Sequence, residues 1–194
     1  HILDDRQILT VGAGFTRETV ISTRFYPRKT LSDGYFYAQH EWHPTLRWNI
    51  LTGLRYDRPS AYHDQLSPKI AAEYRPGRRL SVRASVGTGY KAPDFEQLYL
   101  NFSNPVVGYS VLGNQEVAAG LARMEAEGQI SQVFIDSGET TAGLLPESSI
   151  AWNAGATYRA AAGWQLAVNL FRNDISNLID TRVIAAKING QSVY

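Results

Sequence analysis

Residues 66–93, LSPKIAAEYRPGRRLSVRASVGTGYKAP, alternate between apolar and polar side chains. Leu66, Pro68, Ile70, Ala72 and Tyr74 share one parity, and Ser67, Lys69, Ala71, Glu73 and Arg75 the other. Past Pro76-Gly77-Arg78 the alternation resumes, with Leu80, Val82, Ala84, Val86, Thr88 and Tyr90 set against Arg79, Ser81, Arg83, Ser85, Gly87, Gly89 and Lys91. Successive strand side chains point to opposite faces, so the spacing predicts a hairpin with one apolar and one charged face. The pattern recurs at 47–57, where Trp48, Ile50, Thr52, Leu54 and Tyr56 are the apolar set. It recurs again at 149–159, with Ile150, Trp152, Ala154, Ala156 and Tyr158, and at 164–170, before Asn173-Asp174 break the phase. Residues 7–19 and 35–42 read as weaker strands, and 183–194 as the weakest. Roughly eight strands result.

The connections alternate in length. Those at 43–45, 76–78 and 160–163 are tight, whereas 20–33, 58–65 and 91–147 are long. Short turns on one rim and long loops on the other are the habit of outer-membrane β-barrels, with the short turns periplasmic. Trp42, Trp48, Tyr74, Tyr158 and Trp164 then gather near the periplasmic rim, and Tyr56 and Tyr90 near the outer one. From Trp48 to Tyr56 is about 27 Å of strand, which tilted by roughly 45° covers most of a hydrocarbon band about 25 Å tall. The expected fold class is all-β: antiparallel transmembrane barrel strands. The 91–147 connection is too long for a simple loop. Val117, Leu121 and Met124 recur in it at helical spacing, which predicts a short helix, and 130–135 adds a small strand.

Composition narrows the functional classes. The 194 residues carry a net charge of +1, so no strong field argues for a nucleic-acid partner. Mean hydropathy is −0.26, a value that barrels share with soluble proteins because only alternate residues meet lipid. Eleven Tyr, four Trp and sixteen Gly suit a β-rich, girdle-bearing chain, and the absence of Cys excludes disulfides and thiolate metal sites. The opening HILDDRQILT has none of the regions of a signal peptide, which an exported barrel needs further upstream.

Five segments then carry a resemblance: GLRYD at 53–57, SPKIAAEY at 67–74, LSVRASVGTGYKAPDFEQLY at 80–99, LPESS at 145–149 and LFRNDISNLID at 170–180. In this order the chain resembles, over roughly 34–194, the barrel of TonB-dependent outer-membrane receptors. NFSNPVVGYSVLG, the helix and NGQSVY are most similar to receptors of the Bacteroidetes group. The resemblance implies a barrel of about 22 strands plugged by an N-terminal domain. In such receptors a TonB box contacts the energy-transducing complex. On that reading residues 1–194 are part of the barrel domain, without plug or TonB box, and 91–147 is a large extracellular loop with a short helix. The implied function is TonB-energised uptake of a scarce chelate at a Gram-negative outer membrane. An iron–siderophore complex comes first, with cobalamin or another chelate behind it, and no chemistry is done on the cargo. The implied partners are outer-membrane lipid, the TonB complex (through the N-terminal region) and the chelate. The alternative is a complete small barrel or passive pore without TonB coupling. Tyr194 suits the terminal aromatic of such a barrel, whereas Ser192 and Gly190 do not suit the apolar positions before it.

Candidate binding residues sit in the outer loops: Tyr62 and His63 in one, and Tyr99, Asn101, Phe102 and Tyr109, with Asn104, in the largest. Aromatics with polar tips are typical of ligand surfaces. Arg47, Arg55, Lys69, Arg83 and Lys91 face the lumen by parity, where they either attract an anionic chelate or form a solvated wall paired with Asp57 and Glu73. Haem receptors of the resembled family carry a histidine between the two loop signatures, and none lies between Pro93 and Pro146 here. His40 and His43 flank a predicted periplasmic turn. No metal, cofactor or catalytic set is expected, because Asp136, Glu139 and Glu147 are scattered acids and Ser, His and Asp lack a nucleophile-type setting.

Overall fold

The structure is a computed structural model that describes residues 2–25, 28–136, 138 and 143–194; Glu139 lies outside the described residues. In chain order the strands are β1 (Ile2–Asp4), β2 (Gln7–Val20), β3 (Lys29–Thr45), β4 (Trp48–Pro59), β5 (Gln65–Tyr74), β6 (Leu80–Lys91), β7 (Asn101–Ser103), β8 (Ser110–Leu112), β9 (Ile130–Val133), β10 (Glu147–Arg159), β11 (Gln165–Ser176), β12 (Ala185–Lys187) and β13 (Ser192–Val193). Two helices, α1 (Phe95–Tyr99) and α2 (Val117–Ala126), lie between β6 and β9. The chain divides into two compact units.

The first unit comprises His1–Thr16, Ser32–Lys91 and Ser148–Ser176 and is an eight-stranded sheet in the order β1-β2-β3-β4-β5-β6-β10-β11. Its register confirms the parity read from the sequence. In β4–β5 the ladder runs from Trp48↔Tyr74 to Asp57↔Gln65, and in β5–β6 from Tyr74↔Val82 to Lys69↔Gly87. Cross-strand partners share a face, so Ile50, Ala72 and Ala84 line one side while Leu51, Ala71 and Ser85 line the other. At the short-turn end the Trp48 and Tyr74 rings lie 4.5 Å apart, the start of an aromatic girdle. On the polar face Gly12 and Gly14 admit the rings of Tyr37 and Tyr35, since a methyl at either glycine would come within 2.5 Å of the ring above it. The sheet is open among the described residues: β1 and β11 are its ends and are not neighbours.

Four expectations change. The eighth strand of this sheet is not 183–194 but the short N-terminal β1, too brief to show a period. Residues 183–194 instead supply β12 and β13 to the second unit. The turn expected at 43–45 falls at Leu46-Arg47, because β3 continues through a register irregularity between Trp42 and Thr45. Strand β11 runs through Asn173-Asp174 to Ser176, because the ladder with β10 holds as far as Ser148↔Ser176.

The second unit, Arg17–Leu31, Ala92–Glu147 and Asn177–Tyr194, is a small domain with a core of its own. Its sheet has the order β7-β8-β13-β12-β9. Helix α2 presents Val117, Gly120, Leu121 and Met124 on one stripe, the spacing of an amphipathic helix. That stripe packs on Leu112, Ile184, Ala185 and Val193. Gly120 is required there, because a side chain would enter Leu112 at 2.6 Å. Helix α1 starts in a capping box: the Asp94 carboxylate accepts the Gln97 backbone amide at 2.8 Å, and the Gln97 side-chain oxygen Oε1 accepts the Asp94 backbone amide at 3.0 Å. Lys187, only 8% exposed, donates to the Gly108 carbonyl at 2.8 Å and the Ser110 hydroxyl at 3.2 Å, tying the β7–β8 loop to β12.

Candidate functional site

In the small domain the loop aromatics form a row. Phe102 meets Tyr109 edge-on at 6.1 Å, and Tyr109 meets Tyr194 edge-on at 6.5 Å, both within the favourable range for aromatic pairs. Cations cover the row's neighbours. The Arg24 guanidinium lies 4.4 Å from the Phe102 ring centre, and the Lys29 ammonium 4.7 Å from that of Tyr99. Lys29 is also bonded to Glu116 at 2.8 Å, which fixes it over the ring. The Asn101 amide oxygen accepts from Arg123 at 3.0 Å, and its backbone amide donates to the Arg24 carbonyl at 3.0 Å. Asn104 is spent on its own loop, accepting from the Val106 and Val107 amides at 2.9 Å. Tyr99, Asn101, Phe102 and Tyr109 are therefore brought together, with Arg24, Lys29, Arg123 and Tyr194 as members that parity reasoning did not find. The compositional signal was the basic run STRFYPRK at 22–29.

On the polar face of the sheet, the long-loop end of β4 carries a charged cluster. Asp57 is fully buried and holds the Arg55 guanidinium through contacts of 2.6–2.9 Å. Arg55 also lies 4.0 Å from the centre of the Tyr35 ring. Asp33 abuts Asp57, and Tyr90 reaches the same carboxylate. The β5–β6 ladder ends at Lys69↔Gly87, and Tyr90 lies three residues further along β6. It joins the charged cluster instead of the outer girdle. Tyr62, on the loop after β4, stands over the cluster. Burial, then the negative charge of Asp33 and Asp57, pushes its phenol up to about 12, so it stays a hydrogen-bond donor at any physiological pH. His63 beside it is exposed, and its carbonyl accepts from Gln65 at 2.9 Å. Tyr62 and His63, adjacent in sequence, thus occupy different settings.

The remaining lumen-facing cations are dispersed. Glu73 is bonded to Arg75 at 2.7 Å and to the Ser81 hydroxyl, and it faces the charge of Arg83. Arg83 lines a cavity of about 360 Å³ with Asn49, Ser85, Asn153 and Asn169. Lys69 lays its stem on Gly87, and Lys91 is exposed. Among the described residues no group of three or more His, Asp or Glu could hold a metal ion. These sites offer charge, amides and aromatic faces, the groups that bind a solute without altering its bonds.

The family model "TonB dependent receptor-like, beta-barrel" matches residues 4–194. No curated protein matches the sequence. Among solved structures, the siderophore receptor PirA from Pseudomonas aeruginosa superposes with a TM-score of 0.64 at 24% identity, over 87% of this chain and 28% of that one. The ferric enterobactin receptor PfeA from the same organism, in complex with enterobactin, gives 0.62 at 19% identity, over 87% and 24%. PirA from Acinetobacter baumannii gives 0.61 at 16% identity, over 96% and 29%. The chain thus spans 24–29% of the length of these receptors.

Proposed function

We infer that this chain, which belongs to the TonB-dependent receptor β-barrel family, supplies part of the conduit wall and of the outer loops of a receptor that imports a ferric siderophore across a Gram-negative outer membrane. The observation that carries this reading is the aromatic row Phe102–Tyr109–Tyr194 with Arg24 on the Phe102 ring. A ferric siderophore is bulky and often anionic, and flat rings edged with cations bind such a solute by stacking and charge together. The family match and the likeness to siderophore receptors support the same substrate class. The charged and amide-rich face at Arg55, Lys69, Arg83 and Lys91 suits a wetted passage, and energy from TonB would enter through a plug outside this chain. The family and its solved neighbours are receptors rather than enzymes. The open sheet gives no support to a complete small barrel.

The test uses the full-length receptor. A strain lacking it, grown on single iron sources, fails on one siderophore and recovers with the wild-type gene. Arg24→Ala and Phe102→Ala each weaken binding of that ferric siderophore to the purified receptor by about tenfold, the loss of one desolvated cation–aromatic contact. Growth lost on cobalamin instead, or unchanged siderophore affinity in both variants, would overturn the reading.

A further inference from the structure

At the long-loop end of β4 two carboxyls depend on one cation. In the β3–β4 ladder Tyr35 pairs with Asp57 and Asp33 with Pro59, so Asp33 and Asp57 are diagonal neighbours on the polar face. Both lie past Tyr56, at the outer rim. Asp57 is fully buried, and the Arg55 guanidinium is spent on its oxygens at 2.6–2.9 Å and on the Tyr35 ring at 4.0 Å. Asp33 touches Asp57 through its carboxyl. Its Oδ1 is buried and has no hydrogen-bond partner among the described residues. With both acids ionised, two negative charges would face one positive, and a buried carboxylate oxygen without a donor is costly. One proton held between them removes the excess charge and lowers the cost of the unpaired oxygen. Burial, then the charge of Asp57, pushes the Asp33 carboxyl up, against the charge of Arg55 and the amide of Arg58. The other groups that face it are the phenols of Tyr62 and Tyr90, uncharged at physiological pH.

A short loop covers this pair. Residues 60–64 join β4 to β5, and their first residue is fastened to the strand that carries Asp33. The Ser60 amide donates to the Ser32 carbonyl at 2.9 Å, and the Ser60 hydroxyl accepts from the Ser32 amide at 3.0 Å. The Tyr62 phenol lies in the field of both acids. His63 and Asp64 are exposed, and the Asp64 carboxylate accepts from the Tyr56 hydroxyl. The β4–β5 ladder ends at Asp57↔Gln65, so this loop is the part of the cover that can leave without breaking the sheet.

We propose that a proton held between Asp33 and Asp57 latches loop 60–64, which closes over the pair when the proton is bound and opens when it leaves. The latch adds pH control at the outer rim to the uptake function, and it holds whatever the cargo is. Its sign follows from the charges. Closure is complete below the ordinary aspartate value of about 4, and it is lost as pH climbs through the higher value that the closed loop imposes on Asp33.

The test is spin labelling of the reconstituted full-length receptor, with any cysteine outside this chain replaced by serine. A label at His63→Cys reports on the loop and removes its one histidine. The label should be immobilised in acid and mobile at about pH 8, with a midpoint above about 4. Asp33→Asn, which stays neutral and keeps a donor for Asp57, should hold the label immobile at every pH. Tyr62→Ala should leave it mobile at every pH, and Asp64→Asn should keep the parent transition. A label indifferent to pH, a transition in the opposite direction, or one that survives Asp33→Asn would overturn the latch. Loss of the transition in Asp64→Asn would do the same, because Asp64 would then be the titrating acid. The parent label alone can refute the pH response, even where a variant fails to insert.

Discussion

The two units solve the burial problem in opposite ways. The small domain hides Leu112, Val117, Leu121, Met124, Ile184 and Val193 from solvent, as a water-soluble protein does. The sheet leaves Leu54, Ile70, Val82, Trp152, Val168 and Leu170 exposed, and the buried hydrophobic core residues belong to the small domain. A sheet with bare leucines on one face and charges on the other is unstable in water and correct in a bilayer. The same chain therefore carries one segment built for water and one built for lipid, and substitutions of equal chemistry should have unequal effects in the two.

The largest effect is expected in the small domain. Met124→Ala removes a side chain that is 2% exposed at the centre of the core, and should cost about 2–5 kcal/mol. Hydrogen exchange should show β12, β13 and α2 opening while β4–β6 stay protected; uniform loss across both units would mean they fold as one.

Charge placed on the sheet comes next. Ile70 lies midway between Tyr74 and Leu66 on the lipid-facing side, so Ile70→Arg should destabilise the inserted barrel by about 2–4 kcal/mol. Ala71→Arg, one residue on and facing the lumen, should cost under about 1 kcal/mol because the charge stays wet. Urea unfolding in bilayers measures both, and similar costs would remove the distinction between the faces.

A smaller effect is expected at Gly113, where a methyl would meet the backbone of Leu98, Tyr99 and Leu100 at 2.4–2.6 Å. Gly113→Ala should cost about 1–3 kcal/mol and displace Tyr99 from Lys29. Loss of ferric siderophore affinity without loss of barrel stability is the expected readout, and unchanged affinity would remove Tyr99 from the site.

The smallest effect is in pH dependence. The Tyr62 phenol is raised from 10 to about 12 by burial and by Asp33 and Asp57. A raised folded-state value means that the neutral phenol is favoured by the fold. Its stabilisation is present below about pH 10 and lost as pH climbs through about 12. Ultraviolet titration should lose one late-titrating phenol in Tyr62→Phe.

The sheet was legible in the sequence because a period of two survives every local irregularity, and loop length told the two rims apart. The small domain was legible only in its helix and in the short strand at 130–135, observed as β9. Its fold joins Arg17–Leu31, Ala92–Glu147 and Asn177–Tyr194, and contacts such as Lys29 to Glu116 leave no local pattern. For the same reason Arg24 escaped notice and Tyr194 was read only as a terminal barrel aromatic, while Phe102 and Tyr109 were placed among the ligand-surface candidates. Tyr90 was placed by parity alone, which does not show its phenol beside Asp57.

The contrast between the units rests on one face of the sheet meeting lipid. This chain has no cysteine, so single cysteines introduced at residues 49–55 can carry spin labels in the reconstituted full-length receptor once any cysteine outside this chain is replaced by serine. Collision with oxygen, which concentrates in the bilayer, should be high at Ile50, Thr52 and Leu54 and low at Asn49, Leu51, Gly53 and Arg55. Accessibility without a period of two, or with the opposite phase, would contradict the assignment of the apolar face to lipid.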